Sequence, residues 1–345
     1  MGEFAGIDLG KEVLSYHVVD AAGVTVRRGR AAATPRAARQ ALDGLDLERV
    51  GVEAGPYGAW LVEGLCQAGV PGVLIETRRM KQFGQYSKVK TDARDAERIA
   101  QAMRCALYTP VHVKSTPSRQ ARTLLRARAT LSRARLELQN SARGLLKEYG
   151  VKLKRQSSRL LEEAVREALL EHDAAVATAV LPLVAGIAEL RRQEVALSRE
   201  VRRLARTDAV CRLLMTVPGV GPMVGLAFRA TLDDPQRFAD SQLVGAYLGL
   251  TPSKYASGET DYDGSITRHG DKLMRASLYE AATVILGRLR RPCALRDWGL
   301  ALVERRGRRR ATVALARKLA VVMHRVWLSG QPFDWQRRTP AKSSV

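Results

Sequence analysis

Residues 3–20 read E-F-A-G-I-D-L-G-K-E-V-L-S-Y-H-V-V-D, two apolar, β-branched runs that favour extended chain. Asp20-Ala21-Ala22-Gly23 reads as a hairpin turn into V-T-V-R-R, which adds a third strand to a meander. A helical stretch over residues 35–45 leads into R-V-G-V-E-A-G (49–55), another short apolar strand. Residues 57–68 read as a helix, V-P-G-V-L-I-E (70–76) as a fifth strand and 92–106 as a closing helix. A meander followed by strands alternating with helices predicts a mixed α/β sheet over residues 1–110.

The chain then changes character. Residues 117–206 hold no Phe or Trp, one Tyr (Tyr149) and three Gly, and are dominated by Leu, Ala, Arg and Glu. This composition predicts long helices across 111–206, two arms folded back on each other as a coiled coil. Residues 207–330 read as a third, mostly helical domain. It opens with T-V-P-G-V-G-P-M-V-G-L-A-F-R-A-T-L (216–232) and contains a Gly/Ser/Asp-rich loop at 253–271. From Gln331 to Val345 a polar tail is expected to be flexible.

With 57 Lys+Arg against 35 Asp+Glu, the 345-residue chain carries a formal charge of +22. That excess argues against a small-metabolite enzyme and for a polyanionic partner, nucleic acid first and an anionic membrane surface second. It is uneven: residues 117–159 hold twelve bases against two acids, and nine arginines lie between Arg288 and Arg310. A charge run often means only a solvated helix face, but confinement to one arm favours contact with a phosphate backbone. No 18-residue apolar run is present, so no membrane span is expected. The start M-G-E-F-A-G-I-D-L-G lacks a signal peptide's basic-then-apolar order. Cys66, Cys105, Cys211 and Cys293 form no C-x-x-C motif, which fits a reducing cytoplasm.

Four acids stand out. Asp8 lies inside the first strand and Glu53 at the end of the fourth; a carboxylate in a buried strand is costly unless paired or metal-bound. Asp92 and Asp95, in K-T-D-A-R-D-A-E, share one helix face. For Asp95 alone, favourable placement near a helix N-terminus is a sufficient reason. Together the four make an oxygen-only set suited to Mg²⁺ or Mn²⁺, and two such ions can stabilise the attacking and leaving oxygens of phosphoryl transfer. Lys88, Lys90 and Arg94 flank the acids as candidate phosphate contacts, and none of the five histidines is needed.

The strand order and acid placement over residues 4–106 resemble the RuvC-like branch of the RNase H fold, with its D-E-D-D set. Val217-Pro218-Gly219-Val220-Gly221 resembles a helix-hairpin-helix, whose glycines let backbone amides approach a phosphate; Gly219 and Gly221 are the candidates. A lone loop serine is usually a turn residue. But V-P-G-V-G-P, G-A-Y-L-G-L-T-P, a Ser-Gly and G-S-I-T-R-H-G-D-K-L-M-R follow in order. That series resembles the C-terminal transposase domain of insertion-sequence family one-hundred-and-ten, the DEDD transposases with a RuvC-like front half. The resemblance implies that Asp8, Glu53, Asp92 and Asp95 bind the metal and that Ser257 attacks a DNA phosphodiester. Ser253, Ser265 and Ser241 are the alternatives, Ser241 reading more as a helix cap, and Arg268 is a further nucleic-acid candidate. It also implies donor and target DNA, a structured guide RNA and dimers pairing into tetramers. Two other readings stay open: a RuvC-type nuclease or junction resolvase using water, and a non-enzymatic basic protein whose acids are structural.

Overall fold

The alternation Phe4-Ala5-Gly6-Ile7-Asp8 sets the two faces of a sheet. The computed structural model describes residues 2–76, 92–153, 158–169, 174–257 and 260–336, in two units, Met1–Lys114 and Ser115–Val345. In the first unit, β1 (Glu3–Leu9), β2 (Val13–Val19), β3 (Thr25–Ala32), β4 (Leu47–Glu53) and β5 (Gly72–Ile75) form a sheet of order β3-β2-β1-β4-β5. The first three strands are antiparallel; β1, β4 and β5 are parallel. This is the RNase H-like mixed sheet that the sequence predicts.

Ala5, Ile7, Val50 and Val52 pack on one face against α1 (Pro35–Ala41) and α2 (Gly58–Gln67), through Ala38, Leu61 and Leu65. Phe4, Val19 and Ile75 pack on the other under α3 (Asp92–Arg104), through Ile99, Ala100 and Met103. Two glycines admit α3. A Cβ on Gly6 would lie 2.1 Å from the Ala96 carbonyl oxygen, and one on Gly51 2.7 Å from Ile99 Cγ2. Gln101 Nε2 donates to Gly23 O in the β2–β3 turn at 3.1 Å, so α3 runs antiparallel to β1.

His17 is buried in β2, with Nε2 3.0 Å from Thr25 Oγ1. Burial pushes its imidazole below its ordinary value; Glu97 opposes the shift and Arg28 adds to it. The unfolded chain therefore takes up a proton near pH 6.5 that the folded chain refuses. We expect stability to fall as pH drops below about 6.5 and to level off once the folded group protonates. Urea midpoints at several pH values should fall less steeply for His17→Gln; parallel curves for the two proteins would remove histidine as the cause.

In the second unit, α4 (Thr116–Lys147) and α6 (Ala174–Thr207) are the two long arms. They lie antiparallel: Ala121 and Leu125 share a core with Val201 and Ala205, while Arg128 and Arg135 both reach Glu194, at 3.2 and 2.8 Å. Arg128 Nε also donates to Ser198 Oγ at 2.7 Å. Part of the basic excess expected to face phosphate is thus turned inward, because a buried carboxylate needs partners. A third helix, α5 (Ser158–Leu169), adds Leu161 and Val165 to the cluster of Leu146, Val180 and Ile187. Among the described residues, α6 alone is long and apolar enough to cross a membrane by length and composition.

Then come α7 (Ala209–Leu214), α8 (Pro222–Leu232), a 3₁₀ turn (Pro235–Arg237) and α9 (Ser241–Tyr247). α10 (Lys272–Gly287), α11 (Ala294–Arg306) and α12 (Arg308–Ser329) complete the bundle around Phe228, Leu278 and Leu319. Ala121 and Leu125 of α4 and Val201 and Ala205 of α6 join this same core, whereas the far halves of the arms pack in the cluster around Leu146 and Ile187.

Two expectations change. The loop at 253–271 is largely a β-hairpin, β6 (Pro252–Ser257) and β7 (Thr260–Ile266), with Tyr255 stacked on Tyr262 at 5.1 Å. The tail is not loose at its start: Phe333 N–H and Trp335 Nε1–H donate to Thr216 Oγ1 and O, at 2.9 and 3.2 Å, and the Arg291 guanidinium covers the Trp335 ring. Two aromatics in a polar segment are enough to anchor it.

Candidate active site

The parallel register β1–β4 pairs Gly6 with Gly51 and Ile7 with Val52, so Asp8 and Glu53 come next, side by side at the C-terminal ends of neighbouring strands. Alternation puts them on the face of Gly6 and Gly51, the face that α3 covers. Asp95 stands one turn before Ile99, which packs over both glycines, so the first turn of α3 lies toward the same strand ends. Asp92 opens the helix and is exposed, and Asp95 is half-buried and ion-paired with Arg98. Asp8 and Glu53 thus lie at neighbouring strand ends, and Asp92 and Asp95 in the first turn of the helix that covers that face.

The donor set is oxygen only, which fits a hard divalent cation. Among the described residues, however, no three Asp, Glu, His or Cys side chains converge closely enough to hold an ion. The acids share an edge without forming a closed coordination shell. Arg94 is exposed one turn from Arg98, whose Nε donates to its carbonyl at 3.3 Å. Lys88 and Lys90 lie outside the described residues.

In the second unit, Ser257 is the last residue of β6, exposed and in register with Thr260. Ser265 is exposed as well, whereas the hydroxyls of Ser253 and Ser241 are engaged. Ser253 Oγ donates to Ser265 O at 3.0 Å. Ser241 is not the helix cap expected of it: Asp240 caps α9, and Ser241 is buried 2.8 Å from His324 Nδ1. His324 Nε2 lies 2.8 Å from Pro235 O, which can only accept, so Nε2 donates there. His269 and Arg268 are exposed at the foot of the hairpin, Arg268 with φ +56° and its N–H bonded to Gly249 O at 3.1 Å.

Gly219 and Gly221 do different work. Gly219 has φ +75°, and a Cβ there would lie 2.7 Å from Ala281 O, so it serves packing against α10. A Cβ on Gly221 would meet nothing within 4 Å, and Gly221 precedes Pro222 at the open start of α8. Behind this turn, burial pushes the Cys211 thiol up, and neighbouring Asp208 adds to the shift, so this cysteine is inert. Asp271 caps α10 and takes Arg122 at 2.7 Å. Burial would raise its carboxyl, but the Met274 N–H and the Arg122 charge outweigh it and hold it low.

The hairpin was the feature that sequence reading missed. Its signal was T-D-Y-D-G-S-I against S-K-Y-A-S, with a tyrosine centred in each strand.

Comparison with known proteins gives two family matches, the first of which runs past the boundary between the units. Residues 5–151 match a family model of DEDD transposases of the IS110 type, and residues 211–298 match the transposase IS116/IS110/IS902 family. The chain is 31% identical over 335 residues to a probable family 20 transposase of Pseudomonas aeruginosa, covering 92% of this chain and 94% of that one. It is 30% identical over 261 residues to the transposase for insertion sequence element IS1111A of Coxiella burnetii, covering 74% and 71%. It is 26% identical over 330 residues to the transposase for IS1328 of Yersinia enterocolitica, covering 95% and 98%.

Proposed function

Because this chain belongs to the IS116/IS110/IS902 family of transposases, which act on DNA, we propose that it cuts and rejoins DNA strands with Ser257 as nucleophile and the Asp8–Glu53–Asp92–Asp95 edge as the metal-binding part of the site. The neighbouring register of Asp8 and Glu53, with the start of α3 beside them, is the observation that carries the reading.

Mg²⁺ or Mn²⁺ held by those carboxylates would supply charge neutralisation at a scissile phosphate. The chain's own residues supply the rest. Ser257 Oγ bonds to phosphorus as the P–O bond to the leaving deoxyribose oxygen breaks; the serine proton is given up and the leaving oxygen gains one. The phosphoserine link keeps the bond energy for rejoining, so no ATP is needed, and no G-x-x-x-x-G-K-[ST] motif is present. A serine hydroxyl needs a base or a metal to become nucleophilic, and the carboxylate edge with its ion would supply that activation. Gly221, Arg94, Lys88, Lys90 and Arg268 are assigned to backbone contacts. Donor and target DNA, a structured guide RNA, dimers pairing into tetramers and a cytoplasmic location complete the proposal; the family resemblance supports them.

The test is a suicide DNA substrate that cannot be rejoined. Wild type should become covalently linked to it, whereas Ser257→Ala should not. Full strand cleavage by Ser257→Ala would favour water as nucleophile, as in a RuvC-type resolvase.

A further inference from the structure

The second unit carries a charge pattern that the cutting chemistry does not use. α11 ends on Arg305 and Arg306, Gly307 breaks the helix with φ +76°, and α12 begins on Arg308, Arg309 and Arg310. All five arginines are exposed, as is Arg288 after the end of α10. The two helix ends meet: a Cβ on Gly287 would lie 3.0 Å from Arg308 Nη2. Among the described residues none of the six arginines forms an ion pair.

Helix electrostatics separates the two groups. Arg305 and Arg306 close α11 where the macrodipole welcomes cations. Arg308–Arg310 occupy the first turn of a 22-residue helix, where the dipole repels them, with no acid in that turn and no side-chain cap. Three cations kept at the wrong end of a helix, beside two more, gain nothing for the free fold. A row of anions would relieve this repulsion.

Two tryptophans of the same unit help to define that partner. Trp298 lies under Lys318 Nζ at 4.2 Å and Trp335 under the Arg291 guanidinium at 4.3 Å, so both rings are covered by cations. A surface that stacks single-stranded bases presents its aromatics, whereas one that grips a double helix presents cations at phosphate spacing. We propose that the α11–α12 turn is a contact surface for the sugar–phosphate backbone of a nucleic-acid duplex, independent of sequence. The inference rests on the proposed function and assigns part of its nucleic-acid contact to this face.

The test uses the full chain and measures binding to labelled DNA duplex, RNA duplex and single-stranded DNA across a salt titration. For Arg308→Ala/Arg309→Ala/Arg310→Ala, duplex affinity near physiological salt should fall at least about tenfold, and the slope of log K against log salt should shrink by about 2–3. The duplex whose binding falls, DNA or RNA, identifies the partner. Arg192→Ala/Arg203→Ala, whose arginines pair with Glu189 and Glu200 of their own helix, should leave both quantities unchanged. The triple variant should melt no lower than wild type, since it removes cations from a helix N-terminus. If it melts early, the Arg308→Gln/Arg309→Gln/Arg310→Gln variant is read in its place. An unchanged slope, a loss confined to single strands, or an equal loss in the Arg192/Arg203 control overturns the inference and leaves the proposed function standing. Failure of wild type to bind any of the three probes removes both.

Discussion

Asp8→Asn is expected to lower the strand-cleavage rate about a thousandfold, near 4 kcal/mol of transition-state stabilisation, while leaving the fold intact. The change keeps the side chain's shape and removes the charge that a divalent ion requires. Asp8 is the penultimate residue of a strand whose packing is carried by Phe4, Ala5 and Ile7, so the melting temperature in chelator should move little. A second readout is independent of cleavage. Millimolar Mn²⁺ should raise the melting temperature of wild type, as any ligand of the native state does, and raise that of Asp8→Asn less. Wild-type cleavage rates in Asp8→Asn and Asp92→Asn would leave the acids structural and place the cleavage chemistry elsewhere.

Gly6→Val should be the most damaging single change to the first unit. The Cβ alone would meet the Ala96 carbonyl at 2.1 Å and the Ala100 amide at 2.4 Å, both backbone atoms of a helix and unable to rotate aside. Overpacking of this kind costs about 3 kcal/mol, which lowers the melting temperature of a domain near a hundred residues by roughly 10–20 °C. Function should suffer as well, because α3 carries Asp92 and Asp95 and cannot be pushed off the sheet without moving them from the strand ends. Gly55→Ala is the control: the nearest atom to its Cβ is 3.9 Å away, so its melting point should match wild type. Equal melting of Gly6→Val and wild type would mean that α3 does not sit on the sheet as described.

The first unit was legible because its signals were local and redundant. F-A-G-I-D-L alternates, D-A-A-G turns, and D-A-R-D-A-E starts a helix with acids. The acids stood out because a carboxylate inside an apolar run is chemically out of place. The second unit was less legible for physical reasons. In S-K-Y-A-S and T-D-Y-D-G-S-I polar residues fall on both faces, so no apolar stripe marks a strand. The arms could be read as long helices, but composition does not say which arginines turn inward; Arg128 and Arg135 are fixed by Glu194, more than fifty residues later. The third helix, α5, is short and read as part of an arm.

Glu194 carries one more consequence. A one-turn slip of α6 along α4 would strand one carboxylate and two guanidiniums away from their partners, at a cost of about 3–5 kcal/mol. The antiparallel arms are therefore keyed to a single alignment, and α6, with 34 residues, is a strut of about 51 Å that cannot telescope. A one-residue insertion in α6 between Glu194 and Thr207 would rotate everything beyond it by about 100°, so the gene should tolerate length changes in the turns far better than in this helix.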